Sequence, residues 1–254
     1  VTLPSPKPST ARGIYERTTR GLRIYLATPR LRGLLALNLA IAAASAMVIV
    51  NTVVLVQASF GLGQSDTALA LTAYGAGSMT AALGLPRLLD KFSDRQAMLA
   101  GTTILVAGLL LGAAVASYGI LLVLWFALGL GYSLAMTPAG RLLRRSSQPE
   151  DRPALFAAQF ALSHACWLIT YPLSGWLGAE AGLATTFIVL GVIGAVAVIA
   201  ANRLWPAEDP DEIEHVHETL GPDHPHLAGG DKRHRHAFVI DSHHPEWPAA
   251  PGLR

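Results

Sequence analysis

Eight of the chain's nine histidines lie in one stretch, EHVHETLGPDHPHLAGGDKRHRHAFVIDSHHPEW, residues 214–247. Three H-x-H triplets (His215/His217, His224/His226, His234/His236) precede the pair His243/His244. Imidazole is the commonest metal ligand near neutral pH, and nitrogen-rich sets suit Zn, Ni, Cu and Fe. In an extended strand, residues two apart point to the same side, so an H-x-H pair presents two ring nitrogens together. Asp223, Asp231 and Asp241 can complete such a site or orient its rings as acceptors. In HRHAFVID the alternation puts His234, His236, Phe238 and Ile240 on one face, which predicts local order within an otherwise polar, irregular tail. The irregular spacing and the interspersed acids separate this stretch from an expression tag. Two plainer readings stand beside metal binding: a solvated appendage, and a pH sensor titrating between about pH 5 and 8.

The segment that carries this tail is apolar. The chain has 254 residues, 52% hydrophobic and only 14% charged, against roughly 25% charged in soluble domains. A bilayer core needs about 20 consecutive apolar residues per helical span. Six runs meet that need: 33–58, 67–89, 97–117, 119–140, 154–177 and 183–204. All nineteen Lys and Arg fall before the first run, between the second and third, between the fourth and fifth, or after the sixth, counting Arg87 and Arg203 in the last residues of the second and sixth with the loops that follow them. Lys and Arg accumulate on the cytoplasmic side of short loops, so both termini are expected to be cytoplasmic. Topology thus accounts for the basic residues, and nucleic acid is not an expected partner. The fold class is an all-α membrane protein of six transmembrane helices with a polar tail. Its regions are a linker over 1–32, a six-span bundle over 33–205 and the His-rich tail over 206–254. The one cysteine, Cys166, permits no intrachain disulfide.

The Pro/Ser-rich residues 1–12 read as a linker, and 14–28 as a basic amphipathic helix at the inner membrane surface, ended by Pro29. A linker at the start of a chain beginning with Val suggests that a segment precedes it and that the chain is a fragment.

Between the second and third runs stands Asp90-Lys91-x-x-Asp94-Arg95. This pattern resembles the cytoplasmic loop motif of major facilitator superfamily transporters, with Ser93 where the motif usually has glycine and Pro86 at another frequent glycine. That family joins two six-helix halves by a long cytoplasmic linker. The resemblance, covering about 33–205, implies the second half, with an N-terminal half or a second copy as partner. Residues four apart share a helix face, so Asp90 with Asp94 and Lys91 with Arg95 are expected to form a charged gate.

Inside the spans, unpaired polar groups are costly and mark function. The fifth span is richest, with Gln159, Ser163, His164, Thr170 and Tyr171; Asn38, Asn51 and Gln57 lie on the first. The expected pathway is Gln159, Ser163, His164, Tyr171, Asn38 and Asn51, with Tyr74, Ser78, Thr80 and Tyr132 secondary. His164 can relay protons near neutral pH; the other reading is a ring bonded to a helix carbonyl. Gly108 with Gly112, and Gly75 with Gly77, allow close helix approach. Gly129, Gly131, Pro138 and Pro172 predict bends.

A bundle of this kind with a cytoplasmic His-rich tail is similar to the nickel-resistance and related heavy-metal exporters of that superfamily. The similarity implies proton-coupled export of Ni, Co or Zn, with the ion also held at the tail. No Gly-rich phosphate loop, covalent chemistry or tightly bound cofactor is expected. Two other functions fit the same residues. One is an exporter of small organic compounds, its cavity lined by Trp125, Phe126, Phe160 and Trp167; the other is a membrane-anchored metal or pH sensor. The expected setting is a bacterial inner membrane.

Overall fold

The computed structural model describes residues 13–210, 212–217, 221, 226–227 and 232–248. Among these, the chain forms α1 (Ile14–Ala27), α2 (Pro29–Val53), α3 (Gln64–Leu89), α4 (Asp94–Gly112), α5 (Tyr118–Met136), α6 (Ala139–Arg145), α7 (Arg152–Glu180) and α8 (Leu183–Leu204), then strands β1 (Glu212–Val216) and β2 (Arg233–Ala237). A π-helical turn, Val54–Ser59, prolongs α2, and α5 runs through Pro138 into α6. Six segments are long and apolar enough to cross a membrane: Pro29–Ser59, Gln64–Leu89, Asp94–Gly112, Tyr118–Arg145, Arg152–Glu180 and Leu183–Leu204. They match the six expected runs in number and order. The chain is an integral membrane protein.

α2 is the axis of the bundle: its most apolar stretch is 72% buried, against 22% for α3 and for α7. Small residues make this possible, since Ala40, Ala42, Ala43, Ala44 and Ala46 present only methyl groups to their neighbours. α3 and α5 approach through Gly77 and Gly129, where an added Cβ would strike the carbonyls of Phe126 and Tyr74. Gly75, expected to help, faces open space. At the end of the bundle away from the basic loops, Trp125 donates its indole N–H to Thr52 Oγ1 at 2.8 Å and meets Phe187 edge-on. Trp125 is therefore buried structure and lines no cavity, contrary to its place in the organic-compound reading.

A second apolar cluster fills the basic end. Ile24, Tyr25, Leu31, Leu34, Met98, Leu142 and Trp205 pack there with Phe238 and Ile240 of the tail. α1 does more than lie on a surface. Its Arg20 donates to Asp151 at 2.8 Å, and its Tyr25 hydroxyl donates to Gln159 Oε1 at 2.5 Å. Pro29 both stops α1 and starts α2, because its missing N–H costs nothing in a first turn. Pro86 and Pro172 sit within continuous α3 and α7.

The tail is more regular than its composition suggests. β1 and β2 pair antiparallel with His215 opposite His234 and Ile213 opposite His236. Alternation sorts the side chains. Glu212, Glu214, Arg233 and Arg235 lie on the exposed face and pair across the strands, Arg233 with Glu214 at 3.5 Å and Arg235 with Glu212 at 3.6 Å. The histidines lie on the other face, where the ladder is extended by the His217 N–H donating to the Lys232 carbonyl.

Candidate functional site: an imidazole cluster at the basic end

Seven histidines converge beneath the hairpin. His215, His217, His234 and His236 come from the strands and their edge, His226 from a turn, and His243 and His244 from the segment after β2. Ring centroids of His215 stand 4.7 Å from those of His234 and His236 and 4.8 Å from that of His244. His224, expected to belong, lies outside the described residues, as do Asp223 and Asp231.

Two sets of four present one ligand atom per residue within 4.8 Å of one another: His215/His217/His226/His234, and His215/His226/His236/His244. His215 and His226 belong to both. Nε2 of His226 is 3.2 Å from Nε2 of His234 and 3.3 Å from Nε2 of His236. A tetrahedral ion with metal–nitrogen bonds of about 2.0–2.1 Å puts its ligand atoms about 3.3 Å apart, so these separations suit a shared cation.

The local chemistry prepares the rings. Asp241 Oδ1 accepts the backbone N–H groups of His243 and His244, at 2.8 and 2.9 Å, and lies 2.9 Å from His244 Nδ1. Holding Nδ1–H there leaves Nε2 of His244 as the lone-pair end, aimed at Nε2 of His215. Burial, helped by the neighbouring imidazoles, pushes His215 and His226 down to about 4, His215 doing so against a hydrogen bond with the Ile213 carbonyl. His217 and His244 are lowered by burial too. Burial would raise Asp241, but the N–H donors and His244 hold it below its ordinary value. Neutral rings keep their lone pairs free for a cation.

The gate motif behaves differently from its expected form. Asp90 caps α3 and Ser93 caps α4, accepting the Gln96 N–H while the Gln96 side chain accepts from the Ser93 N–H. The helix is broken between them, so Asp90 and Asp94 share no helix face, and neither do Lys91 and Arg95. Ser93, where the resembled motif usually has glycine, supplies a capping hydroxyl to α4. Asp94 instead receives a two-pronged ion pair from Arg141 of α6. Arg95 donates to the carbonyls of Asn202 and Trp205 and to Asn202 Oδ1, at 3.3, 3.0 and 2.6 Å. A cation at this C-terminus satisfies carbonyls that α8 leaves without partners. Asp90 and Lys91 are exposed and form no ion pair among the described residues.

The expected pathway residues divide. Asn38, Asn51 and Gln159 take part in hydrogen bonds between helices. Asn51 donates to Ser174 Oγ at 2.7 Å, tying α2 to α7, and Asn38 Nδ2 reaches the same Gln159 oxygen as Tyr25, at 3.4 Å. Ser163 donates to the Phe160 carbonyl of its own helix. His164 Nδ1 lies 2.8 Å from that carbonyl, and its ring lies exposed, stacked on Phe160 at 3.8 Å. With Trp167 and Tyr171 it forms an aromatic strip along the open side of α7. Tyr74 and Tyr132 meet at 5.9 Å between α3 and α5.

The family model for the Major Facilitator Superfamily matches residues 35–240. The chain belongs to the major facilitator superfamily. Its members are transporters, so this major facilitator is a secondary transporter. No curated protein matches it.

Sequence reading missed four residues that join tail to bundle: Arg30, Trp205, Asp209 and Trp247. In the sequence Arg30 is one of the basic residues before the first span. The signal was an Arg directly after Pro29, placed where the first turn of an apolar helix begins.

Proposed function

We propose that this major facilitator is one half of a proton-coupled exporter of a divalent transition-metal ion such as nickel or cobalt, and that its imidazole cluster binds the ion at the cytoplasmic end. The observation that carries this reading is the convergence of six imidazoles in two overlapping four-ligand sets. The concentration of every Lys and Arg at the same end supports a cytoplasmic position for the cluster. On the open sides of α3 and α7, His164 is exposed and Ser78 and Tyr171 are partly exposed. Polar groups there suit a water-filled path shared with another six-helix half or a second copy better than they suit lipid.

One observation favours a second reading. The strip Phe160, His164, Trp167 and Tyr171, exposed at its first two rings and half-buried at the others, offers stacking surface, which suits small organic compounds. Flux through inverted membrane vesicles carrying the chain decides between the two. Under an imposed proton gradient, Ni(II) or Co(II) is expected to accumulate, and loss of His215 and His226 is expected to reduce it. Gradient-driven movement of aromatic organic cations with no movement of metal would replace the metal reading by the second.

A further inference from the structure

Arg30, on the first turn of α2, is 2% exposed. Burying a guanidinium is costly unless partners replace water. Two such partners come from the tail region: its Cζ lies 4.9 Å from the ring centroid of Trp247, and its Nη1 lies 3.6 Å from Asp209 Oδ1. Asp209 also accepts from Arg145 at the end of α6, at 3.2 Å, and from the Trp205 indole N–H just after α8, at 3.0 Å. On the other side, Trp247 meets Phe238 edge-on at 5.0 Å, and Phe238 meets His244 at 4.7 Å and His215 at 5.1 Å. A continuous series of side-chain contacts therefore runs from the imidazole cluster to the ends of three helices.

We propose that Arg30 is a positioning residue for the histidine cluster, coupling ion loading to docking of the tail on the basic end of the bundle. The proposal rests on the reading of the cluster as a metal site and adds a regulation to it. The imidazoles of the His215/His226/His236/His244 set come from four separate stretches of chain, and gathering them costs conformational entropy. Docking Phe238, Ile240 and Trp247 against the bundle bears part of that cost in advance. A docked tail then binds the ion more tightly, and by linkage the ion holds the tail docked by the same factor. Undocking would strip the Trp247 face from a buried cation, which is why Arg30 carries the coupling. The loaded tail holds the ends of α2, α6 and α8 together more firmly than the ion-free tail.

The test uses the full chain in lipid nanodiscs, titrated with Ni(II) alone, with protease cleavage of the tail as a second readout. Arg30→Gln is expected to weaken Ni(II) binding by about tenfold and to abolish the protection that Ni(II) gives the tail. Arg30→Lys keeps a cation over Trp247 and is expected to restore both. Trp247→Leu, which leaves every helix intact, repeats the loss and stands in if Arg30→Gln fails to fold. Wild-type affinity and protection in both Arg30→Gln and Trp247→Leu would overturn the coupling while leaving the metal site in place. A wild-type chain that binds no Ni(II) would overturn both. Ni(II) binding without vesicle flux would remove only the ion as cargo.

Discussion

Nε2 of His244 lies 2.9 Å from Nε2 of His215, with Asp241 holding the far side of the His244 ring. In β1 and in the segment after β2, twenty-nine positions apart in the chain, two lone-pair nitrogens are thus brought to a separation that one cation can bridge.

The shared residues should dominate binding. His215→Ala or His226→Ala damages both four-ligand sets, whereas His217→Ala leaves the second whole and His236→Ala leaves the first. Ni(II) titration of the full chain is expected to rank His215 and His226 far above His217 and His236. Asp241→Asn is expected to weaken binding by about 10–100-fold through loss of ring orientation. Equal losses at all four histidines would contradict the overlapping sets.

Acid should release the tail. His215 and His226 titrate near 4 in the docked tail and near 6.5 when it is unfolded. His215 faces His234, His236 and His244, and His226 faces His217, His234, His236 and His244, all of them bases. Between those two pH values the unfolded tail binds more protons, so docking weakens as pH falls. Protease cleavage of the tail should rise as pH is lowered from about 6.5 to about 4. A cleavage rate that stays flat across that window would count against buried neutral rings.

Asn51→Leu removes the tie between α2 and α7 and leaves the Ser174 hydroxyl without it. Hydrogen bonds between membrane helices are worth about 0.6–1.7 kcal/mol, and a loss in that range is expected in thermal unfolding. Gly129→Ala should cost more, because its methyl group meets the Tyr74 backbone and cannot be accommodated by a rotamer change. A neutral Gly129→Ala would mean that α3 and α5 do not pack as described.

Asp94 and Arg141 should matter to turnover more than to stability. The Arg141 side chain is 50% exposed and that of Asp94 10%, and pairs exposed on both sides contribute about 0–1 kcal/mol, so removing the Arg141 charge should cost little. Arg141→Gln is expected to leave melting nearly unchanged but to slow transport, and Asp94→Arg combined with Arg141→Asp to recover rate that Asp94→Arg alone loses. Failure of the double swap to recover any rate would make the pair a solvated surface contact.

The bundle was legible from sequence because length, hydropathy and the placement of Lys and Arg act over whole segments. Ring nitrogens two apart were legible because strand alternation is a local rule. What escaped depends on contacts between distant segments. The partners of Asn51 and Gln159 (Ser174, Tyr25 and Asn38) lie on other helices and have no mark in the local sequence. Arg30 looked like a topology charge, since nothing near it in the chain foretells Trp247 overhead. Asp90 and Asp94 looked like one helix face because the Ser93…Gln96 capping signal, visible as S-x-x-Q, was read only as a departure from glycine.

The most direct measurement is calorimetric titration of the full chain with Ni(II) at about pH 7.5 and about pH 5.5, which bracket imidazole titration. The account predicts micromolar or tighter binding at the higher pH that is lost at the lower one, as expected when ions and protons compete for the same nitrogens. Binding no tighter than millimolar, or binding unchanged by pH, would contradict it.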